Sequence, residues 1–153
     1  MKIEEFLQPA NVVIDLQAND KEAALRELAH RTGPVLNADR QALLKALRER
    51  EDLGSTGMGD GIAIPHIRLD GIARPFGILA RLKRPIEFDA IDGRPVDVLF
   101  LLVLPLKAKG GQLNALACVA RRLRDEETVK AIRHASNAEA AYHAMVSEPG
   151  MSL

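Results

Sequence analysis

Val98 to Leu104 is an unbroken apolar run, preceded by Val96 and Asp97. It is much too short to cross a bilayer, for which a helix needs about 20 residues. A strand with one wet face would alternate apolar and polar residues, and this run does not. Val96 to Leu104 therefore reads as a central strand covered on both faces. That requires other elements packed on each side of a sheet. A chain of 153 residues can bury about 68–70% of its unfolded surface, which suits one domain spanning residues 1–153.

The flanking patterns supply those elements. Val12-Val13-Ile14 is a short β-branched strand. Asp20 is placed to cap a helix to about Arg31, with Ala24, Leu25, Leu28 and Ala29 as its apolar stripe and Gly33-Pro34 as its stop. A second helix is expected from Ala38 to Arg50, with Leu43, Leu44 and Leu47 facing inward. Ile62 to Ile64 reads as a short strand leading into Pro65-His66, and Phe76 to Leu82 as another. From Gly111 the pattern turns helical, with Leu113, Leu116, Ala117, Ala120 and Leu123 on one stripe. Thr128 to Arg133 and Asn137 to Met145 continue it. Early alternation of helix and strand around a buried strand implies an α/β sandwich with helices on both faces of the sheet.

Composition narrows the function. Lys+Arg and Asp+Glu each total 21, and a nucleic-acid binder would carry a basic excess. Cys118 is the sole cysteine, in the apolar stretch Leu116-Ala117-Cys118-Val119-Ala120, so a buried, inert thiol in a reducing compartment is expected. The N-terminal Met1-Lys2-Ile3-Glu4-Glu5 has no apolar core of a signal peptide. No membrane insertion is expected, and the cytoplasm is the expected location. His30, His134 and His143 have ordinary places on or near helices. No pair of histidines has the spacing of a helical zinc site, and one cysteine makes no thiolate cluster. No metal or other cofactor is expected.

The chemistry concentrates in Ser55-Thr56-Gly57-Met58-Gly59-Asp60-Gly61-Ile62-Ala63-Ile64-Pro65-His66. Alternate glycines allow positive φ and close backbone approach. Pro65 holds Ile64 extended, so His66 should follow a stiff strand end. A neutral imidazole at cell pH is a competent nucleophile, and phosphate is the expected electrophile. The glycines do not form G-x-G-x-x-G, they follow a helix, and no Lys-Ser/Thr pair comes after them. Nucleotide loops of both common kinds are thereby disfavoured.

From Arg50-Glu51 through Gly54-Ser55-Thr56-Gly57 to Ile64-Pro65-His66, this segment resembles the active-site signature of enzyme IIA proteins. The resemblance is to the mannitol/fructose class of the phosphoenolpyruvate-dependent phosphotransferase system. Phe88-Asp89-Ala90-Ile91-Asp92-Gly93-Arg94-Pro95-Val96-Asp97 fits it too, and Gly54-Ser55-Thr56-Gly57 is most like the nitrogen-regulatory branch. The resemblance implies a single mixed sheet flanked by helices on both faces. It implies His66 as phosphoryl acceptor through Nε2, from a phosphohistidine on a histidine-containing carrier protein, with Arg50 contacting the phosphoryl group.

Ser55 and Thr56 are candidate hydroxyl donors to that group, and Gly57, Gly59 and Gly61 candidate backbone donors. Gln112 stands where many relatives carry a second histidine and is a further candidate donor to the phosphoryl oxygens through its NH₂, without the positive charge; Ile67 stands where glycine commonly follows the active histidine. No sugar-passing IIB or membrane IIC domain is expected in this chain. The output implied is regulatory, through phosphorylation-dependent binding to targets such as sensor kinases or potassium transporters. A sugar-branch enzyme IIA serving a separate IIB protein, and an interaction module without transfer, are the alternatives. A homodimer is left open.

Overall fold

The computed structural model describes residues 1–107, 110 and 114–147. After two single-turn 3₁₀ segments, Ile3–Glu5 and Pro9–Asn11, come β1 (Val12–Leu16), α1 (Lys21–Leu36) and α2 (Arg40–Asp52). Then follow β2 (Gly57–Gly59), β3 (Ile62–Ala63), β4 (His66–Leu69), β5 (Phe76–Ile86) and β6 (Val96–Pro105). α3 (Asn114–Arg124), α4 (Glu126–His134) and α5 (Ala138–Val146) complete the order. The α1 cap forms as the sequence suggests, Asp20 accepting from the Ala23 amide at 2.8 Å; α2 starts at Arg40 rather than Ala38, capped by Asp39, which accepts from Ala42 at 3.0 Å.

β6 is the spine of a mixed sheet ordered β1-β5-β6-β3-β2, with β4 also on β6. It pairs antiparallel with β5 and parallel with β3 and β4. Its side chains divide by parity. Leu99, Leu101 and Val103 join the core under α1 and α2. Val98, Phe100, Leu102 and Leu104 join the core under α3–α5. The unbroken apolar run is thus explained by two cores, one on each face of the sheet.

Three local expectations are corrected. α1 does not stop at Gly33-Pro34 but continues to Leu36, ending at Asn37 in the left-handed region (φ 51°, ψ 46°). Pro34 lies in the last turn, where its missing N–H costs a single ladder bond. Gly33 serves packing instead: a Cβ there would lie 2.9 Å from Cγ of Arg40 at the start of α2. β5 runs past Leu82 to Ile86, because the ladder shifts register between Arg81 and Ile86 and Pro85 falls in that irregular stretch. Cys118 is half-buried rather than enclosed, and its thiol donates to the Met1 carbonyl at 3.1 Å. Gln112 and Leu113 lie outside the described residues.

Candidate functional site

Ile62 and Ala63 pair with Val98 and Leu99, and His66 to Leu69 with Leu102 to Pro105. Both pairings keep the same offset (98 − 62 = 102 − 66 = 36), so β3 and β4 are one strand path interrupted at Ile64-Pro65. His66 therefore begins a strand rather than following the end of one. The Pro65 carbonyl still accepts from Leu102 N–H at 2.9 Å, and Ile64 N–H donates to the Thr56 carbonyl at 3.1 Å. β2 covers the outer edge of β3 only. Beyond Pro65 that edge is left for the end of α2, and the two meet in a cleft of about 690 Å³. Ala46, Glu49, Arg50 and Leu53 line it from the α2 side, His66, Ile67 and Arg68 from β4, with Leu104 and Leu116.

His66 is half-buried, and its two ring nitrogens have different partners. Nδ1 lies 2.8 Å from the Ile64 carbonyl. A carbonyl can only accept, so Nδ1 carries the proton and Nε2 holds a lone pair. Arg50 Nε donates to Nε2 at 3.3 Å, while its Nη1 donates to the Gly54 carbonyl at 2.9 Å. The His66 pKa is held below the ordinary histidine value, chiefly by burial. The Ile64 bond opposes that shift, the Arg50 charge adds to it, and Glu51 opposes it more weakly. The result is a neutral imidazole whose Nε2 faces an arginine across an open cleft. Such a pair can attack an electrophile and neutralise the anion that forms.

The structure brings His66 and Arg50 together; of the other candidates, Gln112 lies outside the described residues, and Ser55, Thr56, Gly57, Gly59 and Gly61 have partners away from the cleft. Thr56 is buried. Its N–H and Oγ1 donate to the two oxygens of Glu51, at 3.0 and 2.5 Å. Ser55 Oγ donates to the Phe88 carbonyl at 2.6 Å and accepts from Gly57 N–H at 3.0 Å. Gly57 and Gly59 pair with Ala63 and Ile62. Asp60 and Gly61, with φ of 57° and 82°, form the two-residue turn between β2 and β3, where positive φ at both centres matches strand twist. None of these six residues lines the cleft. The glycine-rich segment is a hairpin braced against the 88–92 loop, and a Cβ on Gly57 would sit 2.8 Å from that of Ala90. Ile67 is a buried strand residue opposite Val103, without positive φ, so a β-branched side chain suits it. Asp60 serves the turn, its N–H donating to Asp92 at 2.9 Å.

Sequence reasoning missed Glu51 as a working residue. Only 5% of its side chain is exposed, and Lys21 Nζ pairs with it at 3.0 Å while sitting 4.7 Å above the Phe88 ring. The signal was available: Leu43, Leu47 and Glu51 share one face of α2, so a carboxylate ends an apolar stripe. A buried carboxylate needs partners, and those it finds tie the end of α2, beside Arg50, to Thr56 and α1. The remaining histidines are exposed: His30 contacts Arg40, His134 ends α4, and His143 faces Glu139 at 3.8 Å. Among the described residues no cluster of metal-ligating side chains forms, and no helix is long and apolar enough to cross a membrane.

Residues 5–147 match the family described as "Phosphoenolpyruvate-dependent sugar phosphotransferase system, EIIA 2". A nitrogen regulatory protein of Bradyrhizobium diazoefficiens is 40% identical over 149 residues, covering 97% of both chains. One of Pseudomonas aeruginosa is 37% identical over 147 residues, covering 95% of this chain and 96% of that one. The crystal structure of nitrogen regulatory protein IIA-Ntr from Neisseria meningitidis superposes with a TM-score of 0.88 at 31% identity. It covers 94% of this chain and 98% of that one. Enzyme IIA of the mannitol system from Escherichia coli, in complex with its phosphorylated IIB partner, shares the fold at TM-score 0.74 and 14% identity, over 92% and 98% of the chains.

Proposed function

The chain belongs to the EIIA 2 family of the phosphoenolpyruvate-dependent phosphotransferase system, and on that premise we propose that it is a cytoplasmic regulatory phosphocarrier with His66 as its acceptor. The observation that carries this reading is the Nδ1–Ile64 hydrogen bond, which leaves Nε2 unprotonated 3.3 Å from Arg50. The Nε2 lone pair attacks phosphorus on a phosphohistidine of a small carrier protein. The carrier's P–N bond breaks, and its electron pair returns to the carrier's ring nitrogen. His66 then bears phosphoryl on Nε2 and a proton on Nδ1, and the Ile64 carbonyl supports the cationic ring. Arg50 offers planar donors to the transferring oxygens, where charge stabilisation supplies most of the catalysis. The step is reversible, so His66 is acceptor and later donor.

The relatives are nitrogen regulatory proteins, which supports a regulatory output. Phosphorylation adds about −1.5 to −2 charge beside the exposed apolar Leu53, at 86% exposure. A target seated there, of the sensor-kinase or potassium-transporter kind, would bind one phosphorylation state in preference to the other. The test mixes the protein with enzyme I, carrier and phosphoenolpyruvate and reads intact mass beside a His66→Ala variant. One acid-labile phosphoryl group, absent from the variant, is expected. No added mass, with a carrier active on another acceptor, would leave a binding module. Onward transfer to a sugar-specific IIB protein would move the chain to the sugar branch.

A further inference from the structure

Phosphate on Nε2 creates a charge problem that Arg50 alone does not meet. The cleft's charged lining residues are Glu49, Arg50 and Arg68. Glu49, whose carboxylate lies 4.0 Å from Lys45 Nζ on α2, adds a negative charge to the lining, and the phosphoryl group brings up to two more. Arg68 is two residues beyond His66 on β4, so the two side chains leave the same face of the strand. Their Cα atoms are therefore about 6.6–6.8 Å apart, a span that a flexible arginine covers. The guanidinium is held loosely where it is: Arg68 is exposed and its Nη1 reaches the Leu106 carbonyl at 3.5 Å, the outer limit of a hydrogen bond.

We propose that Arg68 is the second cation of the phosphoryl site. When His66 is phosphorylated, its guanidinium turns from the Leu106 carbonyl to the phosphoryl oxygens, on the side opposite Arg50. This rests on His66 being the acceptor. Two arginines then flank the dianion, each able to pair with two oxygens. The move also frees the Leu106 carbonyl at the end of β6, so the cleft surface differs between the two forms by more than the added group. Arg50 is fixed by its bond to the Gly54 carbonyl; Arg68 is the partner that responds.

The test compares wild type, Arg68→Gln and Arg68→Lys, each phosphorylated through the carrier and followed by phosphorus NMR against pH. A cation beside the phosphoryl group favours its dianion, so Arg68→Gln should move the second phosphoryl ionisation to higher pH, by about one pH unit. Its phosphotransfer equilibrium should shift toward the carrier about fivefold. Arg68→Lys should restore most of the ionisation. An ionisation unchanged in Arg68→Gln overturns the proposal. That holds even if transfer slows at low salt, because slowing alone would mean that Arg68 guides carrier docking. Failure of the wild type to take phosphate would sink the acceptor reading itself, a result distinct from an unshifted variant.

Discussion

Thr56→Val separates scaffold from chemistry, because Thr56 is buried outside the cleft. Thr56 Oγ1 donates at 2.5 Å to a Glu51 carboxylate whose side chain is 5% exposed. Valine keeps the volume, so no cavity forms, and the Thr56 N–H bond to Glu51 at 3.0 Å can persist. The loss is one hydrogen bond to a buried charged acceptor, worth about 1.5–3 kcal/mol. For a domain of this size that lowers Tm by about 3–12 °C. Urea unfolding followed by circular dichroism measures it. Glu51→Gln and the double variant complete a cycle, in which the pair should be non-additive by more than about 0.5 kcal/mol. A stability change within about 0.5 kcal/mol, as for an ordinary surface substitution, would refute the reasoning. If the hydroxyl instead served the phosphoryl group, Thr56→Val would slow transfer at unchanged stability.

Two further outcomes follow from the geometry. His66 should titrate below the ordinary value of about 6.5, and Arg50→Gln should raise its midpoint by removing a positive neighbour; ring-proton NMR reads both. Because the folded state holds the ring neutral, the unfolded chain binds more protons. Stability is thus retained above about pH 6.5 and falls as pH drops toward the lowered folded value. A His66→Gln variant should show a shallower fall in its urea midpoint over that window. Gly61→Ala places a Cβ against Arg133 Nη2 and 2.9 Å from Asp97 Oδ1, at φ +82°. It should cost about 1–3 kcal/mol, measured by the same unfolding assay. Little loss would mean the hairpin tolerates a side chain there.

Where the sequence was legible, one physical rule dominated. The apolar run before Pro105 reads as a doubly covered strand, and the capping residue Asp20 marks the helix start that the structure shows. The misreadings arose where tertiary packing overrode local preference. Glycine and proline end helices in isolation, yet at Gly33 the approach of Arg40 decides the role. Pairing with β6 carries the path through Pro65 into β4, which local propensity does not register. Short polar and flexible residues suit phosphate and hairpins alike, so Ser55, Thr56 and the glycines are ambiguous in sequence. In the fold Ser55 and the glycine hairpin meet Phe88, Ala90 and Asp92, far along the chain, while Thr56 meets Glu51. Glu51 was readable by the stripe of α2.

Which atom of the protein takes the phosphoryl group is the most direct question. Nitrogen-15 NMR of the His66 ring, recorded before and after phosphorylation through the carrier, answers it. The bond from Nδ1 to Ile64 predicts phosphorus on Nε2 with the Nδ1 proton retained. Phosphorus on Nδ1, or an unmodified His66 ring in a phosphorylated protein, would contradict the account.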